Sequence, residues 1–279
     1  MHGKIVAATG ATSGIGEKAV EALARQGARI VFIARDRARA DATLARLDGV
    51  APGLGHKAHI ADLSLMREAK AVGAEIAAAE PRIDVLINNA GAIFSDRRVT
   101  AEGLERSFAL NHMSYFIVTA QLLGSLREAP QGRVVSTSSQ AHRGARLDFD
   151  DLQGAQGFSG WGAYQRSKLA NILFTRELAR RLAGTRVTAN CLHPGVVASR
   201  FADEAGGWMA PAFGLLKRFA LSPERGADTI VYLAGSREVA GVSGDYFAKR
   251  KIAACSGAAR DMNAARRLWE ISERLSASV

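Results

Sequence analysis

Cysteine is scarce in this chain. Two residues of 279, Cys191 and Cys255, are too few for a disulfide framework, and they read as small, buried, reduced side chains. The six histidines form no ligand cluster. His56 and His59 fall in a segment read as a strand, where positions three apart point to opposite faces. No metal site is expected. No apolar run reaches the length of a membrane span, no segment is of low complexity, and no internal repeat stands out. The N-terminus enters an apolar strand by Lys4, which leaves no room for a signal peptide. A cytoplasmic location is therefore expected.

A dense basic block is also missing, although the net charge is +10 and the pI about 10.1. Such a balance permits binding to nucleic acid or to an anionic membrane. The arginines, however, are scattered singly through helical stretches and alternate with acids, as in Arg35-Asp36-Arg37-Ala38-Arg39. They read as a solvated surface, with part of the excess serving an anionic ligand such as a phosphorylated cofactor. No nucleic-acid partner is expected. A hydrophobic content of 48% and a mean hydropathy of -0.01 suit one large globular domain with a full core, and no linker divides the chain.

What is present is alternation. Short apolar runs at Lys4 to Ala8, Ala28 to Ala34, His56 to Ile60, Ile83 to Ile87, Arg133 to Thr137, Arg186 to Cys191 and Gly244 to Ala248 read as strands. Between and after them lie helical stretches: Ile15 to Gln26, Asp36 to Leu47, Leu65 to Ala79, Ala101 to Arg127, the stretch from Gly160 to Leu182, Arg225 to Ala234, and a last helix within 257–275. The Ile83 run is continuously apolar, as when both faces of a sheet are covered. Strand-helix alternation implies an α/β fold, a doubly wound parallel sheet of Rossmann-like form.

The turn after the first strand reads Ala7-Ala8-Thr9-Gly10-Ala11-Thr12-Ser13-Gly14-Ile15-Gly16. Glycines there permit a tight turn and let backbone N–H groups approach a pyrophosphate, with the helix N-terminus adding partial positive charge. Gly16 is followed by Glu17 rather than by Lys and Ser or Thr, which excludes a P-loop. Gly10 to Gly16, with Thr12, Ser13, Gly14 and Ile15, is thus a candidate dinucleotide turn. Arg35 is the first residue past the second strand and would pair with a 2′-phosphate. Asp36 either holds a ribose hydroxyl or caps the following helix. NADP is favoured over NAD.

Tyr164 and Lys168 stand four apart in a helical stretch, so their side chains share one face. A tyrosine ionises near pH ~10, and an adjacent ammonium is expected to lower that value toward the range of useful proton exchange. The alternative is an exposed helix with an ordinary Tyr and Lys.

Thr9 to Gly16, Asn88-Asn89-Ala90-Gly91, Asn111, Ser139, Tyr164 with Lys168, and Pro194-Gly195 occur in the order and spacing of the short-chain dehydrogenase/reductase family. The chain resembles that family from Lys4 to about Phe247. Within it, the chain looks most like the retinol dehydrogenase and WW-domain oxidoreductase-like branch, through Leu110 to Phe116, the insert before Tyr164, and Ala265 to Ser272.

The resemblance implies an oxidoreductase that moves hydride between the cofactor and a carbonyl or alcohol. Tyr164 resembles the acid/base, Lys168 its partner and the holder of the nicotinamide ribose, and Ser139 the donor to the substrate oxygen, with Ser138 an alternative by one place. Asn111 resembles the residue holding a water in a proton relay, unless its amide merely satisfies backbone. Asp62 and Leu63 resemble the adenine contacts, unless Asp62 caps the next helix. Asn89, Ala90 and Gly91 resemble the turn beside the adenosine ribose. Pro194, Gly195 and Val197 resemble the turn under the nicotinamide. Family members often assemble as homodimers or homotetramers. A competing reading is a catalytically weak, cofactor-binding scaffold.

Residues 200–221 are expected to form a small substrate lid, with Trp208, Met209, Phe213, Leu215, Leu216 and Phe219 lining an apolar pocket. A packing helix or a membrane-surface contact are the other readings of that stretch. The insert from Ala141 to Ser159 is expected to supply the opposite wall. His142 and Arg143 either meet an acidic group on the substrate or lie in a solvated loop. The expected substrate is apolar: a retinoid, a steroid or an aromatic.

Overall fold

The structure is a computed structural model that describes residues 1–195 and 221–279. Its strands are β1 (Ile5–Thr9), β2 (Arg29–Ala34), β3 (Lys57–Ile60), β4 (Val85–Asn88), β5 (Arg133–Thr137), β6 (Thr188–His193), β7 (Tyr246–Ala248) and β8 (Lys251–Ile252). They form one sheet in the order β3-β2-β1-β4-β5-β6-β7-β8. Pairing is parallel from β3 through β7, and β8 alone runs antiparallel. The helices are α1 (Gly14–Arg25), α2 (Arg37–Val50), α3 (Met66–Ala79), α4 (Arg106–Phe108), α5 (Ser114–Arg127), α6 (Gly160–Arg181), α7 (Pro223–Gly235) and α8 (Met262–Ala277).

The apolar runs are continuous because the sheet is covered on both faces. Ala7, Val31, Ile33, Leu86, Val134 and Ala189 point into one core with α3, α5, α6 and α8. Their neighbours Val6, Ala8, Ile30, Phe32, Val85, Ile87, Val135 and Leu192 point into the other, with α1, α2 and α7. Successive residues of a strand face opposite sides, so one apolar run serves two cores. The chain builds outward from β1 to β3, then returns to lay β4 against the other side of β1. The order reverses between β1 and β4, and a crevice opens there at the carboxyl ends of the strands.

Several elements differ from expectation. The helix expected from Ala101 starts at Arg106, because the carboxylate of Glu105 caps it by accepting from the N–H groups of Ser107 and Phe108. It then widens into a π-turn at Ala109–Met113 before α5, a local expansion that hydrophobic spacing does not report. The sixth strand begins two residues later than its apolar run. Thr185 bonds back to Leu182 and accepts from the Val187 N–H, holding Arg186 and Val187 in a turn. β8 is two exposed residues, too short for any alternation to show.

Helix α8 lies along α6. Its Trp269 ring stacks on Phe174 with centroids 5.9 Å apart and meets Phe116 edge-on at 4.9 Å, while the Arg181 guanidinium covers it at 4.4 Å. On the same face α3 and α5 approach closely at Gly73, where an added Cβ would stand 2.7 Å from the Cβ of Gln121. Gly73→Ala gains about 1 kcal/mol of helix propensity but forces the helices apart, an overpacking cost of about 1–3 kcal/mol. The expected outcome is a lower urea midpoint than wild type; an equal or higher midpoint contradicts the close approach.

Candidate active site

The carboxyl ends of β1, β4 and β5 are held together by short polar side chains. Thr9 Oγ1 accepts from the N–H groups of Asn89 and Ala90 at 2.9 and 3.0 Å. Asn89 Nδ2 donates to the Gly10 carbonyl at 3.1 Å, and its Oδ1 accepts from Thr137 Oγ1 at 3.1 Å. Gly10 has φ +67°, and a Cβ on it would stand 2.8 Å from Ala90 Cα. Gly16 has no room either, since a Cβ there would run into the Gly10 carbonyl and Asn89 Nδ2. Above these contacts α1 begins with Ser13 as N-cap and no side-chain capping bond, which leaves its first N–H groups for an anionic ligand.

A cavity of about 530 Å³ runs along this edge. One end is lined by Arg35, Asp36 and Arg39 beside β2, and by Asp62 and Leu63 beyond β3. Its middle is lined by Gly10, Thr12, Ser13, Gly14 and Ile15 of the glycine turn and by Asn89, Ala90 and Gly91. The far end holds Ser139, Tyr164, Lys168, Pro194 and Gly195, with Phe94 and Leu110. Among the site residues expected from sequence, Gly16 and Asn111 are absent from this lining. Gly16 sits behind the turn. Asn111 is fully buried in the π-turn; its amide accepts from the Ala92 N–H and donates to the Ala92 carbonyl, both at 2.9 Å, and donates to Ser167 Oγ at 3.0 Å. It therefore satisfies the backbone after β4, not that of its own helix. Val197 and the expected lid up to residue 220 lie outside the described residues; Leu221 packs on Gly195, 2.6 Å from where a Cβ would be.

Asp36 caps α2 by accepting from the Arg39 N–H at 2.8 Å. Asp62 does not cap the next helix: its Oδ1 accepts from Ser64, and the first N–H groups of α3 donate to Glu102 instead. Arg39 was read as part of a solvated arginine surface, yet it lines the cavity with Arg35. The signal was available in the sequence: Arg39 falls in the first turn of a helix capped at Asp36, on the end nearest the cavity.

Ser138 and Ser139 part company at the end of β5. Ser138 Oγ is buried and donates to the Lys168 carbonyl at 2.7 Å. Ser139 caps a one-turn 3₁₀ helix, accepting from the Ala141 N–H at 3.1 Å, and hydrogen-bonds the Tyr164 phenol. Lys168 Nζ donates to the Thr137 carbonyl at 3.1 Å and lies 5.5 Å from the centre of the Tyr164 ring.

The expected drop in the phenol's pKa is not what this arrangement produces. Burial pushes Tyr164 up to about 12, opposed only in part by the Ser139 hydrogen bond. Burial also pulls Lys168 down to about 7. Desolvation of both charged forms outweighs their mutual attraction.

Two further expectations are corrected. His142 is neither in a solvated loop nor in the cavity; it is fully buried and edge-on to Tyr246 at 5.1 Å, whereas Arg143 is exposed, as the solvated-loop reading has it, and donates to the Ala254 carbonyl at 2.7 Å. The insert from Ala141 to Ser159 contributes no residue to the cavity lining. Among the described residues, the apolar wall at this end comes from Phe94 and Leu110, which follow β4 and precede α5.

A model of the short chain dehydrogenases matches residues 4–210. The chain belongs to the short-chain dehydrogenase family. Human retinol dehydrogenase 14 is 42% identical to it over 98% of this chain and 86% of that protein. A crystal structure of an uncharacterised protein from Mycobacterium paratuberculosis superposes with a TM-score of 0.80 at 29% identity, covering 99% of this chain and 94% of that one. The Pseudomonas aeruginosa RhlG/NADP complex gives 0.68 at 29% identity over 88% and 94% of the two chains. This short-chain dehydrogenase is accordingly an NAD(P)-dependent oxidoreductase acting on CH–OH or C=O groups. Among its described residues no helix is long and apolar enough to cross a membrane.

Gly16→Ala places a methyl group against Gly10 and Asn89. With an overpacking cost of about 1–3 kcal/mol falling on the phosphate turn, the dissociation constant for the dinucleotide should rise about ten- to a hundredfold. Fluorescence titration with NADPH checks this, and an unchanged constant refutes it.

Proposed function

We propose that this dehydrogenase moves hydride between NADP(H) and an apolar carbonyl or alcohol, with Tyr164 as the proton donor or acceptor. The observation that carries the reading is one cavity with two chemically different ends: a phenol, a hydroxyl and a buried amine at one, two guanidiniums at the other. The glycine turn and the open end of α1 would hold the pyrophosphate. The bound cofactor would supply or accept the hydride.

For reduction, Tyr164 keeps its proton at neutral pH, since its value stands at about 12. It can therefore give that proton to the carbonyl oxygen as negative charge develops there. Ser139 donates a second hydrogen bond to the same oxygen. Lys168, at about 7, is near half protonation and can return a proton to the phenolate. Oxidation runs the same steps backward, and there the high value of the phenol is a handicap. Asn111, behind Gly91, has its amide engaged by Ala92 and Ser167 and serves in this reading to hold the turn after β4.

Arg35 and Arg39 support NADP over NAD, since a 2′-phosphate pairs with guanidinium groups. Asp36, the residue that would favour a ribose hydroxyl, has an oxygen engaged as the cap of α2. Phe94 and Leu110 favour an apolar substrate, and the retinol dehydrogenases among the relatives make a retinoid the first to try. A panel of retinal, aromatic aldehydes and steroid ketones, followed at the nicotinamide absorbance, tests the substrate class.

Tyr164→Phe should abolish turnover while leaving the NADPH dissociation constant near that of wild type; substantial remaining turnover would remove Tyr164 from the mechanism. Replacing Arg35 and Arg39 together by serine should cut kcat/KM with NADPH by about two to four orders of magnitude, two charged hydrogen bonds at about 1.5–3 kcal/mol each, and leave the value with NADH little changed. A wild-type preference for NADH overturns the assignment.

A further inference from the structure

The hydroxyl of a serine has one proton to give and two lone pairs to receive. At Ser139 one lone pair is taken by the Ala141 N–H at 3.1 Å, so the direction of its proton depends on the turn 140–142. It is held by two histidines, one within the turn and one on β6. On the β6 side, His193 Nδ1 accepts from the Gln140 N–H at 3.2 Å. On the other side, His142 Nδ1 meets the Ser139 carbonyl at 2.6 Å, and its Nε2 accepts from the Ser256 N–H at 3.1 Å.

Backbone N–H groups can only donate, so they fix both tautomers. His142 Nε2 must be bare, which puts its proton on Nδ1, facing the Ser139 carbonyl. His193 Nδ1 must be bare as well. We infer that His142 and His193 are positioning residues that clamp the Ser139 turn between β6 and the loop after β8. They aim the serine proton at the substrate oxygen. The inference rests on Ser139 being the oxygen donor proposed above. Burial lowers both histidines, His193 to about 4, so both are neutral over the working range, as an acceptor nitrogen requires.

The test is a mutant cycle with NADPH and the best carbonyl substrate of the panel above. Ser139→Ala should lower kcat about a hundredfold. His193→Gln moves the acceptor away from the Nδ1 position and should lower kcat about tenfold or more by misplacing the donor, with KM and the NADPH dissociation constant within about twofold. His193→Asn, whose Oδ1 stands near the Nδ1 position, should restore most of kcat. The Ser139→Ala/His193→Gln double variant should be no slower than Ser139→Ala, because the clamp acts only through that hydroxyl.

A double variant in which the two losses multiply overturns the clamp, as does an asparagine variant as slow as glutamine, or a glutamine variant at full speed. In those cases Ser139 keeps its role. Full turnover in Ser139→Ala instead removes the donor reading and the clamp together. If the position-193 variants do not fold, His142→Asn, which keeps a donor for the Ser139 carbonyl, should outpace His142→Leu in the same cycle, and equal rates refute the proposal.

Discussion

The site depends on a lysine held inside the protein. Lys168 is 2% exposed, and its amine is fixed by the Thr137 carbonyl at 3.1 Å. A buried cation needs such a partner. The same carbonyl also receives Asn171 Nδ2 at 3.3 Å. One residue on, Ser138 donates to the carbonyl of Lys168 itself. These bonds lock the register of α6 against the end of β5. Tyr164, one turn earlier on α6, is thereby placed beside Ser139, which follows β5. The proposed chemistry draws on two elements, and three side-chain-to-backbone bonds set their alignment.

The glycine-turn end of the cavity is built on the same plan with a different residue. Asn89 bonds Gly10 after β1 and Thr137 within β5, so it spans the place where the strand order reverses. Thr137 is therefore shared: its hydroxyl serves Asn89 and its carbonyl serves Lys168. Whatever shifts the end of β5 shifts both ends of the cavity together. The crevice exists because β4 returns to β1 after β3 has been laid down, and glycine is required where the turn folds back onto Ala90 and Asn89.

Much of this was legible in the residues. Period and punctuation gave the strand-helix order, because a sheet covered on both faces demands continuous apolar runs. The glycine turn, Tyr164 and Lys168 stood out because short motifs depend on local spacing. The start of α5's helical region did not, since Glu105 caps it by a side chain whose role depends on the turn before it. Phe94 and Leu110 were missed because the wall is assembled from two loops with no periodicity of their own. The phenol's behaviour was read with the wrong sign. Adjacency on a helix is visible in sequence, but the depth of burial that outweighs it is not.

The sequence by itself determined the order of the elements, the dinucleotide turn, the family and the pairing of Tyr164 with Lys168, all of which follow from neighbours along the chain. Only the tertiary structure decided which serine turns toward the phenol, that Arg39 joins Arg35 at the cavity, that His142 is buried beneath the Ser139 turn, and that both ionisable groups are shifted by desolvation. The reason is physical. Hydrogen-bond partners such as Gln140 and His193, and the solvent that a buried group loses, are set by residues far apart in the chain, and no local pattern encodes their distance.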